Sequence, residues 1–146
     1  MRTDRFLWNG YQATVVLPDE PRGKWIWKTE FFDAFDAAER ELLARGYARV
    51  YLKISDLYGS PRAARLMHGF HRALLSRYPF LDEKAILFGF SRGGLYAFRY
   101  ALFYPEAVER IYFDAPVLDL SSWPKAGSVG FTERWRSGRD MVRKSR

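Results

Sequence analysis

The sequence predicts an α/β fold, a mostly parallel β-sheet with helices on both faces, and three observations carry that prediction. Apolar runs of strand length alternate with segments whose apolar residues recur every three and four positions. One run, Ala85-Ile86-Leu87-Phe88-Gly89-Phe90, has no polar side chain, as expected of a central parallel strand covered on both faces. The chain has 146 residues, 48% of them hydrophobic and 18% aromatic, enough for one packed core.

The elements follow in order. Phe6–Trp8 and Tyr11–Leu17 flank Asn9-Gly10, a pair that supplies the positive φ angles of a two-residue hairpin turn. Pro18-Asp19-Glu20-Pro21-Arg22-Gly23 then breaks the strand. From Lys28 to Arg45, Phe31, Phe32, Phe35, Ala38, Leu42 and Leu43 recur at helical spacing, with Gly46 as a C-terminal cap, so this stretch predicts a helix. On that reading the three phenylalanines pack in the core rather than form a ligand box. Ala48–Ser55 reads as a strand. Ser60-Pro61 opens the next helix with a capping hydroxyl and a proline at the first helical position, and Leu66, Phe70, Leu74 and Leu75 give it a buried stripe as far as Tyr78-Pro79. After the strand Ala85–Phe90 comes a helix over Gly93–Phe103, ended by Tyr104-Pro105, and a last strand over Ala107–Phe113. Strands alternating with helices imply right-handed crossovers.

Composition narrows the chemistry. Zero cysteines exclude disulfides, thiol nucleophiles and thiolate metal sites. The two histidines, His68 and His71, sit three apart on a predicted helix with no carboxylate at helical spacing, too few ligands for a closed metal site, so no metal or cofactor is expected. The net charge is +7, of which +4 falls in Phe131–Arg146, where six bases face Glu133 and Asp140. The remaining +3 is ordinary, so a basic C-terminal tail over 125–146 follows a core over 1–124, and nucleic acid is not the expected partner. No apolar run approaches the roughly 20 residues of a membrane helix, and Met1–Phe6 shows no secretory pattern, so the expectation is a cytoplasmic protein.

Gly89-Phe90-Ser91-Arg92-Gly93 places a serine between glycines after a buried strand and before a helix. Such a corner exposes a serine hydroxyl in strained backbone, and small neighbours are needed because strand and helix pass close together. The helix that starts after Ser91 directs its N-terminal amides toward the place where an oxyanion would develop, the Arg92 amide first.

This segment, with Trp25-Ile26-Trp27-Lys28-Thr29-Glu30-Phe31-Phe32 upstream and Asp114-Ala115-Pro116-Val117-Leu118-Asp119 and Ser122-Trp123-Pro124 downstream, resembles bacterial α/β-hydrolases of the esterase-like, prolyl-oligopeptidase-related group. The resemblance covers most of 11–124. It implies an α/β-hydrolase-type three-layer sandwich lacking the last strands, and a serine hydrolase acting on small ester or acyl substrates through Ser91. It further implies a second oxyanion amide from the loop after the third strand, placed in Trp25–Lys28 at Trp27, with the Trp25 side chain walling the acyl pocket. Asp119 falls where the family's acid can stand, and a strand-end carboxylate capping local amides is an equal reading.

The family order of serine, acid, histidine is not met, because both histidines precede Ser91. The chain is therefore expected to be C-terminally truncated relative to that family. Its sixth strand would form an exposed edge open to homodimer formation, and the alternative to an active esterase is an inactive hydrolase remnant or a binding module with a basic tail.

Overall fold

A computed structural model describes residues 1–114. Its strands are β1 (Arg2–Trp8), β2 (Tyr11–Leu17), β3 (Trp25–Lys28), β4 (Ala48–Leu52), β5 (Ala85–Phe90) and β6 (Val108–Asp114), and its helices are α1 (Ala37–Ala44), α2 (Pro61–Arg77) and α3 (Gly93–Phe103). Short 3-10 turns cover Ser55–Leu57 and Pro105–Ala107.

The six strands form one sheet in the order β1-β2-β4-β3-β5-β6. β1 and β2 are an antiparallel hairpin in which Trp8 faces Tyr11, and the left-handed turn angles fall on Asn9 (φ 50°) and Gly10 (φ 82°). β2 is antiparallel to β4, whereas β4, β3, β5 and β6 run parallel. Each parallel step is made through a helix, as the alternating pattern requires. Ser60 caps α2 as expected, its Oγ accepting from the Ala63 amide at 3.3 Å, with Pro61 next in line.

β3 sits at the centre and decides what each layer holds, because alternate residues of a strand face opposite sides. Trp25 and Trp27 point to the side covered by α2 and α3. There they pack with Phe70, His71 and Tyr100: the Trp27 ring lies 5.6 Å from Phe70 and 5.3 Å from Tyr100. Lys28 points to the other face and meets Glu39 of α1. The result is helix, sheet, helix in three layers.

The predicted helix over Lys28–Arg45 is a correction. The helix is confined to Ala37–Ala44, and Trp25–Lys28 is the third strand rather than the loop after it. Lys28 cannot be helical because β3 is held from both sides, Trp27 pairing with Val50 of β4 and with Leu87 of β5. Tertiary ladders override a local period when the two conflict. Among the described residues no helix is long and apolar enough to cross a membrane.

His71 shows how the core treats a polar ring. It is buried between Trp25 and Tyr100, its Nε2 2.7 Å from the Glu83 carbonyl and its Nδ1 2.8 Å from the Tyr100 hydroxyl. A carbonyl only accepts, so Nε2 carries the proton and Nδ1 accepts from Tyr100. Burial holds the imidazole below its ordinary 6.5, against the opposing pull of the Glu83 carbonyl. As pH falls below 6.5 the unfolded chain takes this proton before the folded one. The stability tied to neutral His71 is therefore complete above 6.5 and is lost under acid. Denaturant titrations between pH 7 and pH 5 should show a shallower loss of stability in His71→Gln than in the wild type. Equal slopes would mean that His71 takes up protons alike in both states.

Candidate active site

β5 delivers Phe90 to its C-terminal end, and the chain turns into α3 through Ser91 and Arg92. Ser91 has φ 52°, a left-handed backbone that costs a residue with a side chain roughly 1–2 kcal/mol. The turn is fixed from both sides. The Ser91 amide donates to the Asp114 carbonyl at the end of β6 (3.0 Å), and the Ser91 carbonyl accepts from the Gly94 amide (3.0 Å). The two framing glycines have no room for a side chain. A Cβ on Gly89 would come 3.0 Å from Gly94 Cα, and one on Gly93 would come 2.9 Å from Thr29 Oγ1 and 3.0 Å from Glu30 Cβ.

That second approach brings the segment after β3 against the corner. Thr29 donates its amide to the Phe88 carbonyl (3.1 Å) and its hydroxyl to the Gly93 carbonyl (2.6 Å). Glu30 is buried at 2% exposure and holds three neighbours: the Tyr51 hydroxyl (3.0 Å), the Ser55 hydroxyl (2.8 Å) and the Arg92 guanidinium (Nε at 3.0 Å). Burial, reinforced by the Glu30 charge, pushes the Tyr51 phenol up to about 12, so Tyr51 stays a hydrogen-bond donor to the carboxylate. The Arg92 guanidinium also lies 4.8 Å above the Phe31 ring.

Two further buried cations hold the rest of this loop. Lys28 Nζ pairs with Glu39 at 2.6 Å and donates to the Ala34 carbonyl at 2.5 Å. Arg49 donates to the Phe32 carbonyl at 3.0 Å, stands 4.4 Å over the Phe32 ring and faces Asp36 at 3.6 Å. So anchored, the loop carries two phenylalanines in left-handed backbone, Phe31 (φ 55°) and Phe35 (φ 52°). The first half of the predicted helical stripe, Phe31 to Phe35, is therefore an irregular loop; Phe32 is buried as expected, whereas Phe35 is 77% exposed instead of packed in the core.

Ser91 and Arg92 stand together at the corner as the sequence indicated. Trp25 and Trp27 do not join them. Both rings are fully buried, the Trp25 indole N–H donates to the Asp82 carbonyl, and Trp27 lies inside the ladder, so neither walls a pocket nor offers an amide to the corner. Because β3 runs to Lys28, the residues after it that come against the corner are Glu30 and Phe31. Their signal was present in Trp25-Ile26-Trp27-Lys28, a short apolar run of strand length that can be read as a strand. His68 and His71 lie on α2, and His68 stacks on Tyr104 at 4.1 Å. Asp119 and the basic tail lie outside the described residues. Among the described residues no three histidine or carboxylate side chains gather as metal ligands.

Residues 70–146, just over half of the chain, match the family described as "Putative esterase". The chain belongs to this esterase family. Solved structures place the esterase chain in the α/β-hydrolase fold. One is a "probable hydrolytic enzyme" from Pseudomonas aeruginosa PAO1 (22% identity, TM-score 0.53, 80% of this chain and 41% of that one). A second is a siderophore hydrolase, EstB, from Aspergillus nidulans (16%, 0.61, 82% and 58%). A third is an epoxide hydrolase, VrEH1, from Vigna radiata (16%, 0.54, 77% and 39%). The chain thus spans between about two fifths and three fifths of the length of these structures. Their names cover different reactions, so the likeness speaks for the fold alone. No curated protein matches the chain.

Two stability measurements probe this corner. Ser91→Gly should be more stable than Ser91→Ala by about 1 kcal/mol in denaturant titrations, because glycine alone relieves the left-handed strain. Lys28→Met should cost about 3–5 kcal/mol by leaving the Glu39 carboxylate buried without its cation, and adding Glu39→Leu should recover part of that loss. A cost below 1 kcal/mol for the single change would mean that water reaches the pair.

Proposed function

We propose that this chain is a serine hydrolase of carboxylesterase type in which Ser91 is the nucleophile. The observation that supports this most is the left-handed Ser91 between a buried strand and the N-terminus of α3. In the proposed reaction Ser91 Oγ attacks the acyl carbon of a small ester and loses its proton to a base. The oxyanion that forms is held by the Arg92 amide and by the Glu30–Phe31 backbone, in place of the Trp27 amide. Collapse expels the alcohol and leaves an acyl-Ser91, which water then hydrolyses.

The base is neither histidine. Tyr104, on which His68 stacks, lies eleven residues beyond Gly93, about 16 Å along the helix axis at 1.5 Å per residue. Both ring nitrogens of His71 are already bonded in the core. These two placements favour a second reading, an elbow kept as a scaffold without turnover. Loss of one triad member removes about 10⁴ to 10⁶ of rate and leaves only the oxyanion and binding contributions. Asp119 remains the proposed acid.

A fluorophosphonate probe separates the readings. Labelling at a single serine, with p-nitrophenyl acetate turnover above background, is expected, and both should vanish in Ser91→Ala. A folded wild-type chain that takes no label would sink the nucleophile assignment and leave the scaffold reading.

A further inference from the structure

The strained phenylalanines have no account in stability alone. A left-handed backbone at a bulky residue is a genuine outlier, and outliers of this kind gather at functional sites. Among the described non-glycine residues five have positive φ. Asn9 belongs to the hairpin turn and Tyr58 ends a 3-10 turn, which leaves Phe31, Phe35 and Ser91. All three meet at Phe90, the residue before Ser91. The Phe35 ring stacks on Phe90 at 4.8 Å with 28° between planes, and the Phe31 ring meets it edge-on at 5.7 Å and 87°.

The two rings differ in what else they touch. Phe31 has the Arg92 guanidinium over its ring, whereas Phe35 rests on Phe90 and is 77% exposed. A loop braced by buried ions thus holds an apolar ring in water beside the nucleophile corner. Next to it lies a cavity of about 80 Å³ lined by Phe35, Phe88, Gly89, Phe90 and Tyr112, with the Lys28–Glu39 pair also on its wall. A water's share of liquid volume is about 30 Å³, so the cavity has room for a small flat group rather than a long acyl chain. Tyr112 is itself 57% exposed and its ring lies 5.1 Å from Phe88.

We infer that Phe31, Phe35 and Phe90 form an aromatic platform that seats a planar aromatic ring of the substrate, the ring of an aryl or arylacyl ester, beside Ser91. The term substrate rests on the proposed hydrolase reading, but the seating of a ring does not require Ser91 to react. The open face of Phe35 supplies the stacking surface, and the cavity admits the ring edge. Stacked aromatic pairs gain more than their area burial, by a margin that amounts to about three- to tenfold in affinity over a saturated ring of the same size.

The test uses the full chain and two neutral, non-hydrolysed probes, N-methylbenzamide and N-methylcyclohexanecarboxamide, titrated by NMR. The aromatic amide should bind about three- to tenfold more tightly. Phe35→Ala should remove that preference, Phe35→Tyr should retain it, and Ser91→Ala should leave it unchanged. Equal binding of the two amides, no binding, or a preference that survives Phe35→Ala overturns the platform. So does a Phe35→Ala variant that abolishes self-association of the chain while amide affinity stays the same, because the face would then be an interface between copies. If the fluorophosphonate probe fails while the aromatic preference holds, the nucleophile reading falls and the platform stands.

Discussion

The pairing of Lys28 with Glu39 across the back of the sheet is the constraint on which the site depends. Both groups are almost completely buried, at 3% and 2% exposure of their side chains, and 2.6 Å apart. Taking two charges out of water is costly, and removing one partner costs more than the pair gives, so the arrangement tolerates no partial version. Lys28 ends β3, Glu39 lies in the first turn of α1, and the loop between them must close over that distance. The same ammonium donates to the Ala34 carbonyl inside the loop it closes. One cation therefore sets where the strand stops, where the helix begins and how the intervening backbone bends.

The loop so fixed is what the Ser91 corner leans on. Glu30 ties the corner to the sheet through Arg92 on one side and through Tyr51 and Ser55 on the other. Thr29 reaches the first residue of α3, and the missing Cβ atoms of Gly89 and Gly93 let the two segments approach to contact distance. On the opposite face the Tyr96 hydroxyl donates to the Ile54 carbonyl and accepts from the Tyr58 amide, holding α3 against the end of β4. The Ser91 conformation persists because neighbours on every side over-determine it.

Most of this fold was legible in the sequence because its signals were local. Asn9-Gly10, Ser60-Pro61 and the apolar run Ala85–Phe90 each carry their own physical cause, and each stands in the structure as read. The segment from Trp25 to Phe35 was misread for a reason of the opposite kind. Phe31, Phe32 and Phe35 have helical spacing, but the conformation there is set by Arg49, 14 residues beyond Phe35, and by Glu39 and Arg92 on other elements. Ion pairs between distant residues leave no periodicity to detect. Taking Trp25–Lys28 as the loop likewise puts the expected second oxyanion amide at Trp27, inside the strand and three or four residues before the Glu30–Phe31 backbone proposed for it.

The corner and the chemistry proposed for it can be separated by asking what each needs. The left-handed serine needs β5, β6, α3 and the post-β3 loop, and residues 1–114 contain all four. Proton removal needs a base within hydrogen-bond reach of Ser91 Oγ, and the two histidines are committed to the core around α2 and α3. Glycine would meet the backbone demand at position 91 with less strain, so the backbone alone gives no reason for a hydroxyl there. The hydroxyl has to be explained by something that approaches the corner from outside. An exposed aromatic ring held in strained backbone beside it is the second feature of this face that packing leaves unexplained, and the proposed seating of a substrate ring next to Ser91 would account for both.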